Sequence, residues 1–155
     1  MERESPFVTL PFLPPSSNNI YVTNRQGGRF LSSEAKEFKT KAIAFIQSNC
    51  LAAIGKLDRG AVYRVWYAFY FPLEDIINKT YGSGKKGAAS TLYKKMDVEN
   101  RVKLVADALA TAIGIDDCQF FEGGHTKLSN SLTNKQSQLS IYLEPDDPSR
   151  FGIKV

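Results

Sequence analysis

"KKMDVENRVKLVADALATAIGIDDCQ", residues 94–119, mixes a buried-helix pattern with an unusual density of unlike charges. Val98, Val102, Val105, Ala106, Leu109 and Ile113 recur at helical spacing, which predicts a helix beginning near Asp97 that buries one stripe. Glu99, Lys103 and Asp107 step by four along a neighbouring stripe, so acid, base and acid line up beside the apolar face. The spacing places Asp97 at the N-cap, where its carboxylate accepts an orphan backbone N–H and suits the positive end of the helix dipole. Glu99 and Lys103 form an i,i+4 pair worth only ~0.3–0.5 kcal/mol, so these charges are open to a purely structural reading. Gly114 ends the helix. Asp116 and Asp117 then stand side by side as the chain returns toward a sheet, and adjacent carboxylates repel unless solvated or shared by a cation.

Working outward, "FVTLPFL" has strand composition, and "PPSSNN" stops it with two φ-locked residues followed by turn-formers. From Ser33 to about Ile54, Phe38, Ala42, Phe45, Ile46, Cys50 and Ile54 predict a second long helix, with Gly55 just past its end. "AVYRVWYAFYF" is β-branched and aromatic and ends at Pro72, which predicts a central strand. Its Tyr63, Trp66, Tyr67, Phe69, Tyr70 and Phe71 are expected to pack in the core rather than to stack on bases. The Gly-, Ser- and Lys-rich stretch at about 74–95 reads as a mobile basic loop within the domain. "CQFFEGG" and the alternation Leu139, Ile141, Leu143 predict two further strands. The order β-α-β-loop-α-β-β gives an α+β fold, a small mixed β-sheet with two main helices packed on it, over residues 1–144. Residues 145–155 are expected to form a loose C-terminal tail with Asp146 and Asp147 solvated. His125, the one histidine, reads as an ordinary strand or turn residue.

A chain of 155 residues is one domain's worth. Cys50 and Cys118 lie far apart without metal-ligand spacing, which predicts reduced, buried thiols and no structural zinc. There is no apolar run of the ~18 residues needed to span a bilayer and no signal-peptide h-region, so a cytoplasmic protein without membrane association is expected. The net charge of +4 favours an anionic partner without requiring one. Carboxylates without histidine or thiolate among them make a hard, all-oxygen donor set, suited to Mg²⁺ or Mn²⁺ and common where phosphates are the substrate.

The run Asp97-x-Glu99-Asn100, then Lys103, Asp107-Ala108-Leu109, Gly114 and Asp116-Asp117-x-Gln119 resembles the core signature of the RusA-type Holliday-junction resolvases, Asp-x-Asp-Asn, a lysine four residues on, Asp-Ala-Leu and Asp-Asp-x-Gln. "LPFLPPSSNNIY" and "GRFLSSEAKEF" are similar to the family's N-terminal segments, and the likeness spans most of residues 8–143. The resemblance implies a RusA-like fold and a metal-dependent endodeoxyribonuclease, bacterial or phage-encoded, that resolves four-way junctions by paired phosphodiester hydrolysis in recombination and repair. It implies Asp97, Glu99 and Asp117 as metal ligands for Mg²⁺ or Mn²⁺ and Lys103 as the catalytic lysine, with no small-molecule cofactor. Lys85, Lys86, Lys94 and Lys95, with Asn18 and Arg29 of the upstream segments, are expected to contact the branched DNA. A twofold junction cut on two strands suits a homodimer. Glu99 departs from the family's Asp by one methylene, and the basic loop is longer than in short members. The alternatives are a non-catalytic basic branched-DNA-binding protein and a flap or fork nuclease.

Overall fold

The computed structural model describes residues 5–154; Met1–Glu4 and Val155, the outermost ends of the expected domain and tail, lie outside the described residues. β1 (Val8–Leu10) ends at Pro11, whose missing N–H cannot continue a ladder. A single 3₁₀ turn, Ser17–Asn19, follows from the Ser-Ser-Asn-Asn run. β2 (Tyr21–Thr23) and β3 (Arg29–Leu31) then form a separate two-stranded hairpin that the sequence reading did not anticipate. Its turn is built by the Asn24 carboxamide, which accepts the N–H groups of Gln26 and Gly28, and by Gly27 at φ +82°.

The helix predicted from Ser33 to about Ile54 is two helices. α1 (Ser33–Asn49) starts at Ser32, whose hydroxyl accepts the Ala35 N–H, and α2 (Leu51–Gly55) follows after Cys50 leaves helical geometry at φ −123°. β4 (Val62–Phe71) is the central strand, and the one-turn α3 (Leu73–Ile76) opens the basic loop. α4 (Glu99–Ile113), β5 (Phe120–Ser129) and β6 (Gln138–Asp146) complete the fold. The sheet order is β1-β6-β4-β5. β4 pairs antiparallel with β6 and parallel with β5, so the chain must cross over between β4 and β5, and α4 is that crossover. Residues 94–119, which carry this crossover, therefore set the architecture. The result is the expected mixed α+β fold.

Alternate residues of β4, from Tyr63 through Val65, Tyr67 and Phe69 to Phe71, are buried in one core with Leu104, Val105, Leu109 and Ile113 of α4 and Phe38, Ala42 and Ile46 of α1. Fully burying a side chain such as Phe69 or Leu109 contributes about 1.5–3 kcal/mol. Trp66 and Tyr70 project from the other, half-covered face. β5 lies so close to β4 that a Cβ on Gly123 would stand 2.1 Å from the Val65 carbonyl oxygen. Gly123→Ala is therefore expected to lower stability by about 1–3 kcal/mol or more through forced separation of the strands. Urea unfolding of the variant measures this; a loss below ~0.5 kcal/mol would contradict so close an approach.

Within the expected loose tail, residues 145–151 are structured. β6 runs to Asp146, and residues Pro148–Phe151 form a 3₁₀ turn capped by the Asp147 carboxylate, which accepts the Ser149 N–H at 2.8 Å. Arg150 bridges Glu122 at 2.9 Å and Asp146 at 2.5 Å, and Arg64 lies 3.3 Å from the same Asp146. These arginines hold the Asp146 carboxyl below the usual carboxylate range. Asp146, read as solvated, is thus an anchor, joined to nearby Arg150 and to Arg64 of β4, which is remote in sequence. Cys50 is buried, but Cys118 is exposed. His125 is an ordinary residue of β5, opposite Tyr67. Among the described residues no helix is long and apolar enough to cross a membrane.

Candidate nuclease site

Both ends of α4 carry the residues of interest. At the first end, Val98 rather than Asp97 is the N-cap, and the Asp97 carboxylate, one residue earlier, accepts the Glu99 N–H at 2.9 Å. The capping bond expected of Asp97 exists, but from outside the helix. The Ser17 hydroxyl donates to the Asp97 backbone carbonyl, which ties the Pro-Pro-Ser-Ser-Asn-Asn turn to the start of α4. Ser16, Ser17, Asn18, Asp75, Lys94, Lys95, Met96, Asp97 and Arg101 line one groove of about 480 Å³. Glu99 and Lys103 are both exposed, and Lys103 forms no salt bridge with Glu99 or Asp107, contrary to the i,i+4 expectation. Its ammonium is left to solvent or substrate.

At the other end, Gly114 takes the left-handed conformation at φ +68°. Arg59 Nη1 donates to the carbonyls of Ile113 at 3.0 Å and Gly114 at 2.5 Å and fixes the turn. The acidic pair then divides its roles. Asp116 accepts the Cys118 N–H at 3.0 Å, a bond that lowers its pKa, and so starts a 3₁₀ turn, Asp117–Gln119. Gln119 Nε2 donates to the carbonyls of Arg59 and Ala61, both at 2.9 Å, and locks the start of β5 to β4. Asp117 is the member left over. Its carboxyl holds its proton to higher pH than an ordinary aspartate, chiefly through the neighbouring Asp116 carboxyl, then through desolvation and the like charge of Asp107. The hydroxyl of Tyr67, a residue only 4% exposed, is pushed up by burial and then by the charges of Asp107 and Asp117. Lys39 of α1 lines the same depression as Asp107, Asp116 and Asp117.

The two ends are two helical turns apart. Glu99 and Asp107 differ by eight residues, ~12 Å of helix rise. Tyr67, near Asp117, and Phe71, beneath Arg101, differ by four strand residues, roughly 13 Å. The structure therefore groups Asp97 with Glu99, and Asp117 with Asp107, with Lys103 between the groups. Among the described residues no three His, Cys, Asp or Glu side chains gather closely enough to hold a metal ion by themselves. Of the expected DNA contacts, Asn18, Lys94 and Lys95 line the Asp97 groove. Lys85 and Lys86 are exposed on the long loop, and Arg29 lies on β3 with its guanidinium 4.4 Å from the Tyr21 ring centroid. Arg101 and Lys39 have no place in the sequence-based expectations, and Tyr67 enters them only as a core aromatic. No local signal marks Lys39 or Arg101, and Tyr67 is hidden in a run of core aromatics.

Residues 11–136, most of the chain, match the family model of endodeoxyribonuclease RusA. No curated protein matches the chain.

Proposed function

Because this chain belongs to the RusA endodeoxyribonuclease family, whose members resolve Holliday junctions, we propose that it cuts four-way DNA junctions by metal-assisted phosphodiester hydrolysis, as a homodimer serving recombination and repair. The observation that carries the reading is the track along α4: Asp97 beside a basic groove, Lys103 one turn into the helix, exposed and without an ion pair among the described residues, and the Asp107 and Asp117 carboxylates toward the far end.

The donor chemistry fits Mg²⁺ or Mn²⁺, since every candidate ligand is a carboxylate. Mg²⁺ is characteristically held by one or two carboxylates together with waters and substrate phosphates, so a preassembled protein cage is not required. Asp97 and Glu99 would hold such an ion at one end of α4, and Asp117 with Asp107 at the other. When bound, the ion supplies charge neutralisation at the scissile phosphate and a more acidic attacking water. The remaining work belongs to the chain. Lys94 and Lys95 bind backbone phosphates, and Lys103 faces the charge that develops during in-line displacement. Ser17 keeps the Asp97 backbone in place while the strand is bent across it. Uncatalysed phosphodiester hydrolysis is so slow that positioning and electrostatics together must supply a reduction toward the upper part of the ~8–23 kcal/mol range.

Incubating the protein with a labelled four-way junction and with linear duplex, each with and without Mg²⁺, tests the function. Metal-dependent cutting of the junction alone is expected. Binding without cutting would leave a non-catalytic junction-binding protein, and equal cutting of flaps or forks would move the substrate class.

The basic residues divide by position. Lys94→Ala with Lys95→Ala should weaken binding to all DNA and flatten the plot of log K against log salt by up to ~0.9 per lost contact. Lys85→Ala with Lys86→Ala, outside the groove, should do less. Equal effects from the two pairs would show that the groove is not the path of the backbone.

A further inference from the structure

Arg101 occupies an unusual place for a cation. It lies in the first turn of α4, half-buried, with its guanidinium carbon 4.9 Å from the centroid of the Phe71 ring. Phe71 is itself only 1% exposed, so the planar group rests on a fixed platform. Its Nε is buried and has no hydrogen-bond partner among the described residues. Asp75 lines the same groove, yet the two form no salt bridge within 4.0 Å. A guanidinium held flat on a ring, with its Nε buried and unpartnered among the described residues, carries a local cost that an anion on its fork would offset.

The groove around it indicates which anion. Lys94, Lys95, the Ser16 and Ser17 hydroxyls and the Asn18 amide share the groove with Arg101, and Asp75 and Asp97 are its two acids. Three cations against two carboxylates leave room for one further negative charge, and an arginine fork held flat matches two oxygens of a phosphate. We propose that Arg101 is a phosphate clamp: its guanidinium binds in bidentate fashion one backbone phosphate of the DNA strand, next to the phosphate that lies against Asp97. The inference rests on the nuclease reading above and deepens it. Arg101 acts as a positioning residue that fixes the strand's register on α4, while Lys94 and Lys95 supply charge without a fixed orientation.

A pairing experiment between protein and DNA tests this. Four-way junctions are prepared with a single neutral methylphosphonate placed in turn at each of the phosphates flanking the cut, and binding is measured in Ca²⁺ for wild type, Arg101→Met and Arg101→Lys. Methionine retains an apolar stem over Phe71, and thermal unfolding confirms that each variant is folded. For wild type, one modified position should weaken binding by about ten- to hundredfold, the loss of a charge-assisted bond. Arg101→Met should bind the unmodified junction more weakly by a similar factor and be insensitive to that same modification, and Arg101→Lys should fall between. If Arg101→Met loses as much as wild type at every modified position, the clamp is overturned while junction recognition stands. If wild type fails to bind the junction, both the clamp and the nuclease reading fall.

Discussion

Asp117→Asn is expected to cut junctions at least roughly 10²- to 10³-fold more slowly than wild type, the scale on which removing one preorganised electrostatic group slows an enzyme, while binding them as tightly or more tightly. The side chain is exposed and caps nothing; Asp116 makes the capping bond in that turn. Asparagine keeps its shape and removes a charge that Asp116 and Asp107 both disfavour, so folding should be unharmed or improved. Removing a negative charge from a DNA-facing surface cannot weaken binding electrostatically. Asp97→Asn should behave likewise in catalysis, since its amide oxygen can still accept the Glu99 N–H, with at most ~1 kcal/mol lost from the altered helix start. Single-turnover cleavage and gel-shift affinities on the same preparations separate the two effects. Wild-type cutting by either variant would remove that residue from the catalytic set.

The second large effect concerns Glu99, the position at which the motif resemblance expects an aspartate. Glu99→Gln should lose most cleavage and Glu99→Asp should retain a measurable rate, with an altered preference between Mg²⁺ and Mn²⁺. Mg²⁺ demands oxygen ligands at ~2.0–2.1 Å in near-ideal octahedral geometry, so one methylene more or less must be absorbed by a different rotamer or an intervening water. A structural role predicts something else. Glu99 is exposed and not ion-paired with Lys103, so its charge serves the fold only through the helix dipole, worth ~0.3–1 kcal/mol. Full activity of Glu99→Gln at saturating Mg²⁺ would assign Glu99 that role alone and leave Asp97 without its partner.

Much of the fold was legible because its largest elements are long and strongly periodic. α4 and β4 are of this kind, and the parallel pairing of β4 with β5 follows from a helix standing between them. The hairpin was missed because three-residue strands are too short to show periodicity, so the strand-formers Tyr21, Val22 and Thr23 and the turn signal of Asn24 with Gly27 and Gly28 read as part of one ordered loop. α1 and α2 read as one helix because the break at Cys50 keeps the apolar spacing on both sides. The tail's order depends on Arg64 and Glu122, residues of β4 and β5 that only folding brings to Arg150 and Asp146.

The site divides in the same way. The sequence motif names Asp97, Glu99, Lys103 and Asp117 and accounts for Gly114, whose positive φ needs glycine. It does not disclose that Asp107 stands with Asp117 or that ~12 Å of helix separates them from Glu99, because that separation is a property of α4 being straight and uninterrupted. Nor does it reveal Arg101. An arginine at that position is unremarkable until Phe71, thirty residues earlier, is found beneath it.

Placing the ion directly is the sharpest test of this account. Substoichiometric Mn²⁺ added to ¹⁵N-labelled protein broadens amide resonances near each bound ion. Broadening is expected to begin at Asp97 and Glu99, at Asp107 and Asp117, or at both ends of α4, and to be relieved end by end in Asp97→Asn and Asp117→Asn. Broadening centred instead on the Glu144 and Asp146 cluster, with α4 unaffected, would contradict it.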